Sequence, residues 1–176
     1  MNIPLNFKFS IRKNTDKRLI ILRKTANESL EHIILKLLAY LLFFNENLQI
    51  EIKAHQHYKP DLVKFDKEQK WKVIKWVDCG IIEPKKLLKI SKHNRQAKIC
   101  IFKSSRESAE SLKTKIIKQK QYISNIYFFI LNKKQINVIK QLLDGRNKII
   151  ILNNTAANYL HLNFNNENLR LQFSCL

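Results

Sequence analysis

The sequence predicts an α/β domain in which helices pack against one mixed sheet. Three observations lead there. Segments with strand alternation and segments with helical spacing follow one another as strand, helix, strand, strand, helix, strand, and further strands close the chain. The helical segment 28–44 is apolar over more than half of its circumference, so it must be packed on several sides. The 176 residues hold only two glycines and three prolines, which leaves little for linkers, and 45% are hydrophobic, enough for one sizeable core. A single domain over residues 1–176 is expected.

In chain order, Leu5, Phe7 and Phe9 alternate with polar residues in a strand at 5–12, and Arg18–Arg23 forms a second strand after the turn residues Asn14-Thr15-Asp16. Asn27 is the expected N-cap of a helix from Glu28 to Phe44, whose inward residues include Leu30, Ile33, Ile34, Leu37, Leu38 and Leu41. Strands follow at Leu48–Ala54 and, after Pro60, at Leu62–Phe65. The polar loop Asp66–Lys70 then turns the chain into Trp71–Asp78. Pro84 suits the first position of a helix with Leu87, Leu88 and Ile90 inward. A strand at 98–102, a lysine-rich helix near 105–120 and a strand at 125–131 precede a helix at 133–144, with Gly145 as its expected C-cap. Strands at 148–152, 158–164 and 168–173 complete the chain.

The 33 Lys and Arg against 14 acids give a formal charge of +19. A field of that size gathers polyanions, so nucleic acid is the first partner to expect and an acidic membrane surface the second. Lys, Asn and Ile are all heavily used, so part of the excess follows coding composition, and the run Lys113–Lys120 also reads as a solvated helix face. Cys79, Cys100 and Cys175 form no CxxC pair, which argues against a disulfide framework or a zinc site and for a reducing cytoplasm. The N-terminus lacks a basic start followed by an apolar run, so no signal peptide is expected. The longest apolar stretch, Ile33–Phe44, is interrupted by Lys36 and is too short to span a bilayer.

Two carboxylates carry the chemistry. Asp78 ends the apolar strand that starts at Trp71, where a charged side chain costs desolvation unless a cation, a donor or water meets it. Strand ends are also where α/β sheets present ligand-binding groups. Asp61 follows Pro60 at the edge of the preceding strand; alone it reads as a turn former, but with Asp78 it makes a site for a hard cation, because Mg²⁺ takes one or two carboxylates plus water and phosphate oxygens. Glu28, Glu31 and His32, spaced i, i+3 and i+4, can converge at the start of the apolar helix, although Glu in a first turn also follows from the helix dipole. Lys85, Lys89 and Lys92 form one stripe of the helix after Asp78: a solvated face, or a source of positive charge for a phosphate. His55 and His57 share a strand face without further ligands at metal spacing and read as surface histidines. Two glycines exclude a phosphate-cradling loop, a nucleophile elbow and a dinucleotide fingerprint.

The stretch Asn27-Glu28-Ser29-Leu30-Glu31-His32-Ile33-Ile34-Leu35-Lys36-Leu37-Leu38-Ala39-Tyr40 resembles the first helix of the YaeQ family. Lys59-Pro60-Asp61-Leu62, Lys75-Trp76-Val77-Asp78-Cys79-Gly80 and Lys89-Ile90-Ser91 are similar to its next blocks, in the same order, and the closing helix and strands also fit. The resemblance implies a restriction-endonuclease-like core of the PD-(D/E)xK group, a mixed central sheet flanked by helices. It implies that Asp61 and Asp78 are metal ligands, that the Cys79 carbonyl is a third, and that Glu28, with Glu31 second, is the acid supplied by the first helix. The motif expects Lys where this chain has Gly80; some members of the group carry that lysine on the following helix, which makes Lys89, then Lys85, the stand-in.

The resulting expectation is a Mg²⁺- or Mn²⁺-dependent nuclease, cytoplasmic and not membrane-bound, in which Asp61 and Asp78 hold the ion, Glu28 helps, and Lys89 positions the nucleophile. Lys85, Lys86, Lys92 and Arg95 would track the nucleic-acid backbone without reading sequence. A homodimer is possible, since many related nucleases pair to cut two strands. The alternative is a nucleic-acid-binding or regulatory module that keeps the fold without catalysis.

Overall fold

The apolar circumference of the first helix decides the layering. The computed structural model describes residues 5–54, 56–119, 124–153 and 158–176. In it helix α1 (Leu30–Leu42) is buried at every position from Ile33 to Leu42. It has sheet strands on both sides, so a residue on either side of the helix meets a core. Full burial of each Leu or Ile there contributes about 1.5–3 kcal/mol.

Two mixed sheets enclose it, and this corrects the single sheet expected from the sequence. One has the order β10-β9-β8-β1-β2, built from β1 (Asn6–Lys13), β2 (Asp16–Arg23), β8 (Arg146–Asn153), β9 (Tyr159–Phe164) and β10 (Glu167–Gln172). Only β1 and β8 run parallel in it. The other has the order β11-β7-β6-β5-β4-β3, from β3 (Gln49–Ile50), β4 (Leu62–Phe65), β5 (Val73–Cys79), β6 (Lys98–Lys103), β7 (Ile126–Ile130) and β11 (Ser174–Cys175). Its centre, β5-β6-β7, is parallel. Segment alternation says where strands lie but not which ones pair, and β1 pairs with a strand that begins more than a hundred residues later.

The alternation of side chains divides the second sheet between two cores. Val77, Cys79, Cys100 and Phe102 face α1 and join Phe7, Phe9, Ile149 and Leu162 of the first sheet. Ile136 and Ile139 of α4 (Lys133–Leu142) belong to the same core. Trp76, Ile99 and Ile101 face the opposite way, onto Leu87, Leu88 and Ile90 of α2 (Pro84–His93) and Ala109, Leu112 and Ile116 of α3 (Arg106–Ile117). The layers therefore run sheet, α1 with α4, sheet, α2 with α3.

Several boundaries differ from expectation for local reasons. Ser29, not Asn27, caps α1, its Oγ accepting the His32 N–H at 3.1 Å, so Glu28 lies outside the helix. The strand expected at Leu48–Ala54 shrinks to Gln49–Ile50, because Glu51 turns to φ 52°. Helix α4 ends at Leu142 with Leu143 extended, so Gly145 is not its cap; Asp144 and Gly145 form a turn in which Asn147 Oδ1 accepts the Asp144 N–H. The Asp66 turn is as expected: its Oδ1 accepts the N–H groups of Glu68 and Gln69. His55 lies outside the described residues, and His57 is exposed against the Tyr58 ring. Among the described residues no helix is long and apolar enough to cross a membrane.

Candidate active site

Asp61 precedes β4, and its backbone N–H donates to the Val77 carbonyl of β5. Its carboxylate then meets two elements at once. Oδ2 accepts the Cys79 N–H at 2.8 Å, while Oδ1 lies 3.1 Å from His32 Nε2 on α1. Glu28, just before the Ser29 cap, brings Oε1 to 3.3 Å from the same His32 nitrogen, and its Oε2 accepts the Thr25 N–H. The ligand atoms of Glu28, His32 and Asp61 lie within 4.8 Å of one another, which makes this the group of side chains, among the described residues, with the spacing to hold a metal ion. With Asn27, Ser29, Glu31, Gly80 and Ile81 they line an open cleft of about 430 Å³.

A cation is already built into the cluster. Lys36, 1% exposed, sits one helical turn after His32. Its Nζ lies 2.6 Å from Glu51 Oε1, 3.2 Å from Glu28 Oε1 and 3.4 Å from Asp61 Oδ1. Burial alone would pull its pKa down, but the charges of Asp61, Glu51 and Glu28 outweigh that and hold it above the ordinary lysine value. The acids respond in kind. Burial pushes Asp61 up, and the His32 hydrogen bond, His32 and Lys36 charges and the Cys79 N–H overcome it, leaving the carboxyl below its ordinary value. Glu28 is lowered against its own burial by the Thr25 N–H and Lys36. His32 is raised: burial opposes, while Asp61 and Glu28 favour the imidazolium.

Asp78 stands apart from this group. It shares the β5 face of Trp76, which packs toward α2 and α3, whereas Val77 and Cys79 face α1. Its buried Oδ2 makes no hydrogen bond, and the nearest cation is Lys86 Nζ at 3.7 Å. The Trp76 indole N–H leans toward the carboxylate without closing a hydrogen bond of ordinary geometry. Burial first, and the charge of Asp61 second, push its carboxyl up to about 6. Asp61 and Asp78 are neighbours: the charge of Asp61 raises the Asp78 carboxyl, and the Asp61 backbone N–H acts in the other direction.

Gly80 has φ +72°, and a Cβ there would stand 3.2 Å from His32 Nδ1. A lysine at this position would be strained in its backbone and would require the imidazole to give way by a few tenths of an ångström. Neither predicted stand-in forms an ion pair with the acids among the described residues: Lys85 and Lys89 are exposed on α2. Lys92 and Arg95, also exposed, line a separate cleft with Gln56 and Trp71. The helical lysine that does reach an acid is Lys86. Cys79 contributes its N–H to Asp61, and its side chain is core. Glu31 lines the cleft wall. Lys36 and Glu51 were not singled out in the sequence. The available signal was the one lysine that interrupts the apolar stretch Ile33–Phe44, where a buried ammonium requires acids nearby.

Two expectations follow. The native state binds the Asp78 proton more tightly than the unfolded chain, because the folded pKa of about 6 exceeds the ordinary 3.8. Its contribution to stability is therefore present below the unfolded value and is lost as pH rises through the folded one. Asp78→Asn should gain on the wild type by on the order of 2–3 kcal/mol between about pH 4 and pH 8 in urea unfolding; a difference that does not change with pH contradicts the buried carboxyl. Lys36→Met should lose about 3–5 kcal/mol by stranding the acids. Millimolar Mn²⁺ should then raise the midpoint of this variant more than that of the wild type, and an equal or smaller rise contradicts the competition between ammonium and metal.

The YaeQ family, described as YaeQ protein, matches residues 12–172. YaeQ protein from Xanthomonas axonopodis pv. citri is similar in fold, with 14% identity, a TM-score of 0.73 and 97% of each chain covered. YaeQ protein from Pseudomonas syringae is 14% identical with a TM-score of 0.73, over 97% of this chain and 93% of that one. No curated protein matches the chain. On the strength of a family match over nearly its whole length, the chain belongs to the YaeQ family.

Proposed function

We propose that the chain is a nuclease-like protein of the restriction-endonuclease-like, PD-(D/E)xK class, acting on nucleic-acid phosphodiesters with the help of a divalent ion. The observation that carries this reading is the convergence of Glu28, His32 and Asp61 on the wall of an open cleft beside the end of β5. The formal charge of +19 supports a polyanionic substrate. Exposed Lys85, Lys89, Lys92 and Arg95 on and after α2 are free to meet a phosphate backbone without reading sequence.

The donor set fits a divalent ion, with a preference. Two carboxylate oxygens and an imidazole nitrogen suit Mn²⁺ better than Mg²⁺, which is held almost wholly by oxygen. An ion so held would offset negative charge on the phosphate. His32 would then have to be neutral at Nε2 and give up the proton that Asp61 and Glu28 favour there, so ion affinity should fall with pH. Lys36 keeps its shortest contact on Glu51, leaving Glu28 Oε1 and Asp61 Oδ1 to the cleft at the longer distances.

The second reading, a nucleic-acid-binding module without catalysis, is favoured by one specific feature: the Lys36 ammonium already neutralises both carboxylate ligands of the set. Incubation with plasmid, single-stranded DNA and RNA in Mn²⁺ or Mg²⁺ separates the two. The first reading expects cleavage that is faster with Mn²⁺ and is lost in Asp61→Asn. Absence of cleavage in every combination, with salt-sensitive binding intact, contradicts it and selects the binding module.

A further inference from the structure

Three lysines are buried among the described residues, and they are not alike. Lys36 has Glu28, Glu51 and Asp61 around it. Lys75 has Glu46, and its Nζ lies 3.8 Å from the centre of the Phe43 ring. Lys103, 6% exposed, forms no ion pair among the described residues; its Nζ donates to the Gly80 carbonyl at 2.6 Å. Nothing opposes the effect of burial on it, which pulls its pKa below the ordinary lysine value. An ammonium that is desolvated without a counter-ion costs several kcal/mol, and an arriving anion removes that cost.

Its place in the fold gives the anion a location. Lys103 is the last residue of β6, and Gly80 follows β5 on the neighbouring strand, so both lie at the C-terminal edge of the parallel strands. Gly80 lines the cleft that holds Glu28, His32 and Asp61. On the other side, Ser104, Ser105 and Arg106 continue the chain into a cavity of about 610 Å³, which Asn132 and Lys133 also line. The carbonyl of Gly80 uses one of the three ammonium donors of Lys103. It also fixes the charge beside a residue that has no side chain of its own.

We propose that Lys103 is a phosphate-binding residue, its ammonium held on the Gly80 carbonyl and donating to a phosphate oxygen next to Gly80. This deepens the nuclease-like reading and rests on it for the source of the phosphate. In that setting Lys103 supplies a fixed positive charge next to Gly80, which has no side chain of its own.

The test uses the protein's two glycines, Gly80 and Gly145. Wild-type protein labelled with ¹⁵N-glycine, in EDTA, is titrated first with inorganic phosphate and then with a single-stranded oligonucleotide, the resonances being assigned with Gly145→Ala. The Gly80 resonance should move saturably while that of Gly145 stays. In Lys103→Met the phosphate-dependent movement should vanish, and oligonucleotide binding should weaken about tenfold or more relative to the exposed control Lys140→Met. The melting temperature of Lys103→Met without ligand should equal or exceed that of the wild type, since an uncompensated buried charge is gone. Movement with inorganic phosphate but not with the oligonucleotide supports the site and assigns it to free phosphate. A still Gly80 resonance in the wild type, equal movement in the variant, or a destabilised variant that binds normally overturns the proposal. Because the metal is chelated, this titration does not depend on catalysis: phosphate binding at Gly80, with no cleavage in the Mn²⁺ and Mg²⁺ incubations, would leave this site standing while the catalytic reading fails.

Discussion

The rest of the structure hangs on the burial of one ammonium. Helix α1 is enclosed between two sheets, so a cation in its middle has no route to solvent. Lys36 is therefore neutralised where it stands, by acids from three different segments: Glu28 before the helix, Glu51 after β3 and Asp61 before β4. Glu51 adopts φ 52° there, and its N–H donates to the Asp61 carbonyl. A buried group of this kind is weak as a source of net stability, yet breaking it is costly, and it fixes relative position. It sets α1 against the hairpin of β4 and β5, and so determines where the carboxylates of Glu28 and Asp61 meet His32.

From that register the chemistry divides between the two faces of the second sheet. The face toward α1 presents Asp61, joined to β5 through the Cys79 N–H, with His32 and Glu28. The face toward α2 presents Asp78 with Lys86. Gly80 stands at the boundary, where a left-handed φ and the nearby His32 ring disfavour any side chain. Its carbonyl receives Lys103 from β6.

Much of this was legible in the sequence, and the reasons for the rest are physical. The all-round apolar surface of the first helix announced deep burial, and the ends of the β4 and β5 segments announced Asp61 and Asp78 as unusual carboxylates. Local patterns could not tell that β1 pairs with β8, because that contact depends on chain closure and not on any nearby residue. The same periodicity that correctly exposed Lys89 gave no reason to prefer Lys86 as the partner of Asp78, since that choice depends on how α2 sits on the sheet. Asp61 and Asp78 were expected to converge because their strands are neighbours. Asp78 lies on the Trp76 face of β5 beside Lys86, and only the network around Lys36 shows which partners Asp61 takes. Lys103 was hidden by composition, since in a chain with 33 basic residues one buried lysine looks like any other, whereas Lys36 stood out by the apolar residues around it.

The most direct test of this account is a double-mutant cycle between Lys36→Met and Asp61→Asn, read by denaturant unfolding at neutral pH without metal. If the buried ammonium organises the acids, each variant is strongly destabilised, and the pair together loses less than the sum by about 1–3 kcal/mol. Additivity within about 0.5 kcal/mol would mean that Lys36 and Asp61 act independently and that something else holds the site together.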